Sequence, residues 1–387
     1  MHSRARGPTH VEHPRSGWNC RSPNGVSTHG ILACRREGRS LIARLASSPS
    51  TPAMECSLVA FGHADDAIAG SPIPLLAKLM RRVAVLLTLV LAPALHAQQD
   101  FSKVEVTAVP VTKGIYMLQG AGGNIGLSVG QDDAFVIDDQ YAPLTPKITA
   151  AIASVTSKPV RFVMNTHWHG DHTGGNENMA TGGAILVAHE NVRRRMSADQ
   201  FMEAFKQKVP ASPTAALPVV TFTDAISFYV NGDTIRATHV KNAHTDGDAI
   251  IVFSAANVIH MGDTYFNGIF PFIDVSSGGS LDGIIAAVDG VLATSNDSTK
   301  IIPGHGPLGN KASLKAYRGV MAGVRGRVAA LIARKRTLAQ VISAKPLADY
   351  EATWGKGFLT TDQFLTIVYT SLTKARTARV VGTHHAP

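Results

Sequence analysis

The stretch Asn165-Thr166-His167-Trp168-His169-Gly170-Asp171-His172 places three histidines and an aspartate within six positions. It directly follows the apolar run Val160–Met164. His167 and His169 are two apart, so on extended backbone their side chains point the same way. Gly170 then lets Asp171 and His172 turn toward a neighbouring point. Imidazole and carboxylate are the ligands of a borderline metal such as zinc. A pair of loop histidines alone is more often solvated surface. Four ligand groups at this spacing, after a buried strand, point instead to metal binding.

Such a cluster needs strands that end beside one another. Short apolar, β-branched runs at 104–109, 115–118, 124–129 and 134–137 are punctuated by Gly and Asp, as in a meander. Residues 145–157 read as a helix with Ile148, Ile152 and Val155 on one face. Strands follow at 160–164 and 184–188, with a helix predicted over 190–207. After the irregular, Pro-containing 210–218 come strands at 219–222, 226–230, 234–240, 249–253 and 258–261. A helix over 281–292 and a strand over 300–302 complete the pattern. From Lys311 an apolar stripe of Leu314, Tyr317, Met321, Val324, Val328 and Leu331 marks a long helix, and another is expected over 361–374. Two strand-rich halves, each carrying helices, make this an α/β chain with a helical end.

Composition first suggests a different class of protein. The 387 residues carry 37 Lys and Arg against 28 Asp and Glu, a net +9, which invites nucleic-acid or membrane-surface binding. The distribution argues otherwise. Residues 1–97 hold 11 basic and 5 acidic residues, and Cys20, Cys34 and Cys56 all lie there. Met80, Arg81 and Arg82 open a basic start, an apolar stretch to Leu91 and a small-residue exit at Ala97. This is the layout of a secretory signal, too short to span a bilayer. Residues 1–79 are therefore read as an over-extended or disordered leader, 80–97 as a signal peptide giving a periplasmic or secreted protein, 98–310 as the functional domain and 311–387 as C-terminal helices packed on it. No stable membrane anchor is expected. The domain has 13 basic and 20 acidic residues, and the tail 13 and 3. A nucleic-acid-processing reading prompted by that tail conflicts with export and with the acidic domain, so no nucleic acid is expected as a partner.

Over about 105–310 the chain resembles the metallo-β-lactamase superfamily, whose signature is His-x-His-x-Asp-His. Further ligands expected from the resemblance appear in order: His244 in Asn242-Ala243-His244-Thr245-Asp246-Gly247-Asp248, Asp263 in His260-Met261-Gly262-Asp263-Thr264, and His305 in Pro303-Gly304-His305-Gly306. The resemblance implies a four-layer αβ/βα sandwich with a dinuclear centre at one edge of the two sheets. By it, His167, His169 and His244 hold one Zn2+, Asp171, His172 and His305 hold the second, and Asp263 bridges; iron or manganese fits similar ligands. It further implies a bridging hydroxide available at neutral pH, oriented by Asp171, that attacks a small-molecule carbonyl. Asp171 and Asp263 are then the catalytic carboxylates.

Two departures refine this. Many β-lactamases of the first two subclasses place a ligand cysteine near position 263 and a substrate-holding lysine soon after. Here residues 98–387 contain no cysteine, and 264–270 reads Thr-Tyr-Phe-Asn-Gly-Ile-Phe. The ligand set resembles the third lactamase subclass together with the bridging Asp of glyoxalase-II-type and lactonase enzymes. Flavodiiron oxidoreductases are set aside because they carry Glu where His169 stands. A β-lactam is the leading substrate expectation and a lactone or thioester the alternative. A metal-binding protein without catalysis is disfavoured by the full ligand set.

Other residues divide between functional and structural roles. His239 and His260 lie in strands and are expected to be structural. His189 is a partner of the site or a helix-start residue; Asp138 or Asp139 is a partner of a ligand histidine or a turn carboxylate, as are Asp246 and Asp248. Trp168, Tyr265, Phe266 and Phe270 wall a pocket or pack the core. Residues 120–123 form a mobile flap or a plain hairpin turn. The runs 193–195 and 334–336 are expected to be solvated helix faces.

Overall fold

The structure, a computed structural model, describes residues 19–21, 31–36, 39–44 and 100–383. The predicted signal at 80–97 and most of the leader lie outside the described residues. The chain divides into two compact units, Met1–Leu95 and His96–Pro387. In the first, β1 (Asn19–Arg21), β2 (Ile31–Arg36) and β3 (Arg39–Arg44) pair as an antiparallel meander, although no strand period is evident there in the sequence.

The second unit is built on two sheets. The first sheet starts with an antiparallel meander of β4 (Thr107–Thr112), β5 (Ile115–Gln119), β6 (Ile125–Ser128) and β7 (Ala134–Ile137). It continues in parallel through β8 (Val160–Met164), β9 (Ile185–His189) and β12 (Val220–Phe222). The second sheet runs β13 (Ala225–Val230), β14 (Asp233–His239), β15 (Ala249–Phe253), β16 (Val258–His260), β17 (Lys300–Ile302) and β18 (Gly309–Asn310) in that spatial order. β6 and β7, inside the first sheet, are buried at every position.

Three apolar layers account for the sandwich. Between the sheets, Phe135, Ile137, Met164 and Val187 pack against Ile235, Ile251, Phe253 and Ile302. On the outer face of the first sheet, Ile148 and Ile152 of helix α1 (Thr145–Ala153) pack with Leu127, Val136 and Val163. On the outer face of the second, the helices Leu281–Thr294, Lys311–Ala333 and Thr361–Thr383 bury Val288, Tyr317, Val324 and Phe364 around Ile259 and Ile301. This is the expected αβ/βα arrangement with C-terminal helices. Lys311–Ala333 starts at a capping box in which Asn310 and Ser313 satisfy each other's backbone. No helix among the described residues is long and apolar enough to cross a membrane.

One expected element is corrected. The helix predicted over 190–207 ends at Met196, and the chain turns into a hairpin of β10 (Gln200–Met202) and β11 (Gln207–Val209). The Arg run tempts a helix reading, but Arg195 is drawn aside. Its Nε and Nη2 donate to Asp246 at 2.7 and 2.8 Å, and Gln200 donates to the Arg195 and Ala198 carbonyls where further turns would form.

Candidate metal centre

The centre forms where strand ends of both sheets meet. His167 and His169 follow β8; Asp171 and His172 lie in the single turn Gly170–Thr173. His244 lies between β14 and β15, Asp263 in the short turn Gly262–Thr264 after β16, and His305 between β17 and β18. All seven sequence-predicted ligands converge. Three ligand groupings emerge: His167, His169 and His244; His167, His172 and Asp263; Asp171, His172 and His305, the atoms of each within 4.8 Å of one another.

Asp263 stands between them. Its Oδ1 is 3.1 Å from His172 Nε2, and its Oδ2 is 3.4 Å from His305 Nε2, 3.6 Å from His244 Nε2 and 3.8 Å from His167 Nε2. Asp171 Oδ2 lies 3.2 Å from His305 Nε2 and 3.5 Å from His172 Nε2.

The outward-facing ring nitrogens are committed to protein acceptors. His244 Nδ1 is 2.8 Å from the Phe272 carbonyl, His169 Nε2 is 3.1 Å from Asp274 Oδ2, and His172 Nδ1 is 2.8 Å from Asp138 Oδ2. In the neutral rings of His244 and His169 those contacts hold the protons, and the inward nitrogens present lone pairs. His244 Nε2 and His169 Nδ1 then face each other at 2.8 Å. His167 Nε2 is buried without any hydrogen-bond partner. Lone pairs facing one another and an orphaned buried nitrogen are costly unless a cation sits among them, so the residues fit a metal centre.

The electrostatics agree. Burial pushes His244 down to about 4 and, with the charge of His172, holds His167 well below the ordinary imidazole range. Burial also opposes charge on His305 and His172, but the carboxylates of Asp263 and Asp171 outweigh it, lifting His305 to about 9 and His172 well above its usual value. Asp263 and Asp171 resist burial in turn because His172 and His305 hold them below the usual carboxylate range.

Close approach is needed at two glycines. A Cβ on Gly123 would lie 2.0 Å from His172 Cε1, and one on Gly304 would lie 2.0 Å from Asp263 Oδ1. Residues 120–123, open as flap or turn in the sequence, form a pinned hairpin connection. Gly123 N donates to the Asp171 carbonyl at 3.1 Å, and Gln140 Nε2 donates to the Gly123 carbonyl at 2.7 Å.

The remaining candidates sort cleanly. Asp138, at φ 61°, is the partner of His172 and also accepts from Thr166 N at 2.7 Å; Asp139 accepts from Gly175 N instead. Asp248 accepts from the His244 and Thr245 backbone and fixes the ligand loop, whereas Asp246 holds Arg195. His189 caps its helix through Asn191 N and stacks on His239 at 3.8 Å. His260 is a core residue whose Nε2 meets the Asn124 carbonyl. Phe266 stacks on His305 and Trp168 packs edge-on to His169, while Tyr265 and Phe270 pack on Tyr317 and Phe364 in the core. The partner that sequence reasoning missed is Asp274, 30 positions after His244 and outside any ligand motif. Its local signal is Ser276-Ser277, since Asp274 caps that turn by accepting from Ser277 N at 3.1 Å.

Residues 119–305 match the model of the metallo-beta-lactamase superfamily. A hydroxyacylglutathione hydrolase of Polaromonas sp. is 31% identical over 175 residues, covering 45% of this chain and 57% of that relative, so the chain spans little more than half of the relative's length. Among solved structures, a sec-alkylsulfatase from Pseudomonas sp. superposes with a TM-score of 0.50 at 17% identity, covering 68% of this chain and 50% of the sulfatase. A metallo-beta-lactamase from Pontibacter korlensis gives a TM-score of 0.46 at 16% identity over 56% of this chain and 99% of its own. The sulfatase likeness bears on the fold alone.

Proposed function

We propose, since this chain belongs to the metallo-β-lactamase superfamily of metal-dependent hydrolases, that its ligand groupings hold two Zn2+ ions and that it hydrolyses an acyl ester, lactone or thioester. The observation that carries the two-site reading is Asp263, whose Oδ1 faces His172 and whose Oδ2 lies within 3.8 Å of His305, His244 and His167, so that one carboxylate reaches ligands of every grouping. An all-His/Asp ligand set without thiolate suits zinc. Zinc in such a site supplies Lewis acidity and an activated water near neutral pH.

The chain's own residues do the rest. His167, His169 and His244 are buried and held by Thr166, Asp274 and Phe272, so one half of the centre is rigid. Asp171 and His305 are partly exposed and form the open side, where a substrate carbonyl can approach. Asp171, anchored at 3.2 Å to His305, is placed to orient the attacking water and to accept its proton.

Thioesters and esters rank ahead of β-lactams for two reasons. Asp263 stands among ligands of every grouping, as the glyoxalase-II-type resemblance expects of a bridging carboxylate, and the relative at 31% identity is named a hydroxyacylglutathione hydrolase. β-Lactam hydrolysis is the second reading, favoured by the export layout at 80–97, which would place the enzyme where such compounds arrive. Purified, zinc-loaded protein assayed side by side on a thioester, a lactone and a chromogenic cephalosporin separates them. Fast cephalosporin turnover with no ester or thioester turnover would overturn the preference. His167→Ala or His305→Ala should abolish activity and lower bound metal to about half or less.

A further inference from the structure

Among the described residues three phenylalanines are exposed: Phe201 at 46%, Phe205 at 37% and Phe358 at 56%. Two of them touch rings that touch metal ligands. Phe205, in the turn of the β10–β11 hairpin, packs on Phe272 with ring centroids 4.8 Å apart, and Phe272 lies 5.6 Å from both His169 and His244. Phe358, between the helices Ala348–Trp354 and Thr361–Thr383, lies 6.4 Å from Phe266 and 6.3 Å from His305. Phe266 itself stacks on His305 at 5.0 Å. One exposed ring is thus linked to His169 and His244 through Phe272, and the other lies beside His305.

Both positions are braced. Glu203 N donates to Ser276 Oγ at 3.4 Å, and Ser276 donates onward to Asp274, the partner of His169. On the other side, Phe270 N donates to the Trp354 carbonyl at 2.9 Å, and Gly357 packs against Ile269 closely enough that a Cβ would sit 3.1 Å away. An exposed phenyl ring near a reaction centre offers apolar area that an arriving ligand can cover.

We propose that Phe205 and Phe358 form an apolar clamp at the mouth and that the substrate is an ester or thioester with a medium-length apolar acyl chain. This deepens, and rests on, the ester and thioester reading above. The reaction is ordinary hydrolysis: the water oxygen forms the new acyl C–O bond, the C–O or C–S bond to the leaving group breaks, and the alcohol or thiol departs with one water proton. The C-terminal segment thereby becomes part of the substrate site, which its helical packing alone does not explain.

The test uses full-length, zinc-loaded protein and p-nitrophenyl esters and acyl thioesters of acetyl, butyryl and octanoyl length. kcat/KM should rise about tenfold or more from acetyl to octanoyl. Phe205→Ala and Phe358→Ala should each lower the octanoyl-to-acetyl ratio about fivefold, and Phe358→Leu should retain most of it. Tyr229→Ala, an exposed ring on β13, should leave the ratio unchanged. Octanoate binding measured by calorimetry should weaken in the same order. A flat chain-length profile with good acetyl turnover, or a glutathione thioester preferred over the octanoyl thioester, would overturn the clamp and leave the hydrolase intact. Absence of any ester or thioester turnover beside cephalosporin turnover would overturn the reading beneath it.

Discussion

Gly123→Ala perturbs the centre directly while adding only one methyl group. Gly123 needs no unusual φ, so the substitution costs little in backbone strain and acts through space. The new Cβ would lie 2.0 Å from Cε1, 2.5 Å from Nε2 and 2.6 Å from Nδ1 of His172, where ordinary contact begins at 3.4 Å. One partner must therefore yield by more than an ångström. The glycine backbone is tied to Asp171 and Gln140, and His172 is fully buried against Asp138 at 2.8 Å. Overpacking of this kind costs about 1–3 kcal/mol of stability. A misplacement of about 1 Å in a reacting group costs on the order of 100-fold in rate. The damage is directional: His172 belongs to the groupings with His167 and Asp263 and with Asp171 and His305, but not to that of His167, His169 and His244. Elemental analysis of the variant should give about one metal per chain where the parent gives two, and kcat/KM should fall about 100-fold or more. Gly319→Ala, with nothing within 4 Å of the added carbon, is the matched control. Two tightly held metals and parental activity in Gly123→Ala would refute the placement of His172 in the second site.

Asp274→Asn keeps the shape but removes the charge that orients His169, and should weaken metal binding about 10- to 100-fold in a chelator competition. His239→Ala, which removes a ring stacked on His189 outside the centre, should leave metal stoichiometry intact in the same measurement. His305 at about 9 and the raised His172 are protonated in the metal-free chain at pH 7, yet a metal takes only the neutral nitrogen. Loading with zinc in weak buffer at pH 7 should therefore release about two protons, read with an indicator dye, and apparent affinity should climb from pH 6 toward 9. A pH-independent affinity would contradict those assignments.

The ligands were legible because a metal imposes its demand on short spacing. His167, His169, Asp171 and His172 sit within one turn of chain, and the motif resemblance then located His244, Asp263 and His305. Their supports were less visible. Asp138 and Asp139 are adjacent carboxylates in the sequence, and only the left-handed backbone at Asp138 decides which one turns to His172. Asp274 shows nothing in its own neighbourhood beyond a capped turn, because its partner is 105 positions away. Strands such as β7 and β15 appear where their apolar runs predict, since burial on both faces leaves a continuous signal. The helix after β9 was overextended because three arginines carry helix propensity, and propensity yields to the pull of Asp246 on Arg195. Phe358 escaped notice as a site residue because proximity to His305 is a property of the folded chain alone.

Asn124 sets the order in which this centre can come into being. Its backbone donates to the Gly304 carbonyl at 2.7 Å, and its side chain donates to the carbonyls of Pro303, 179 positions onward, at 3.0 Å and of Gly306 at 2.8 Å. A nascent chain can complete the first sheet with these three donors still open. They close only when the loop bearing His305 has been synthesised and has returned across both sheets. Pairings this distant form slowly, because the long intervening loop must be closed before they contribute. The last ligand and the bonds that seat it thus arrive together, near the end of the domain, and a chain stopped short of residue 303 lacks both.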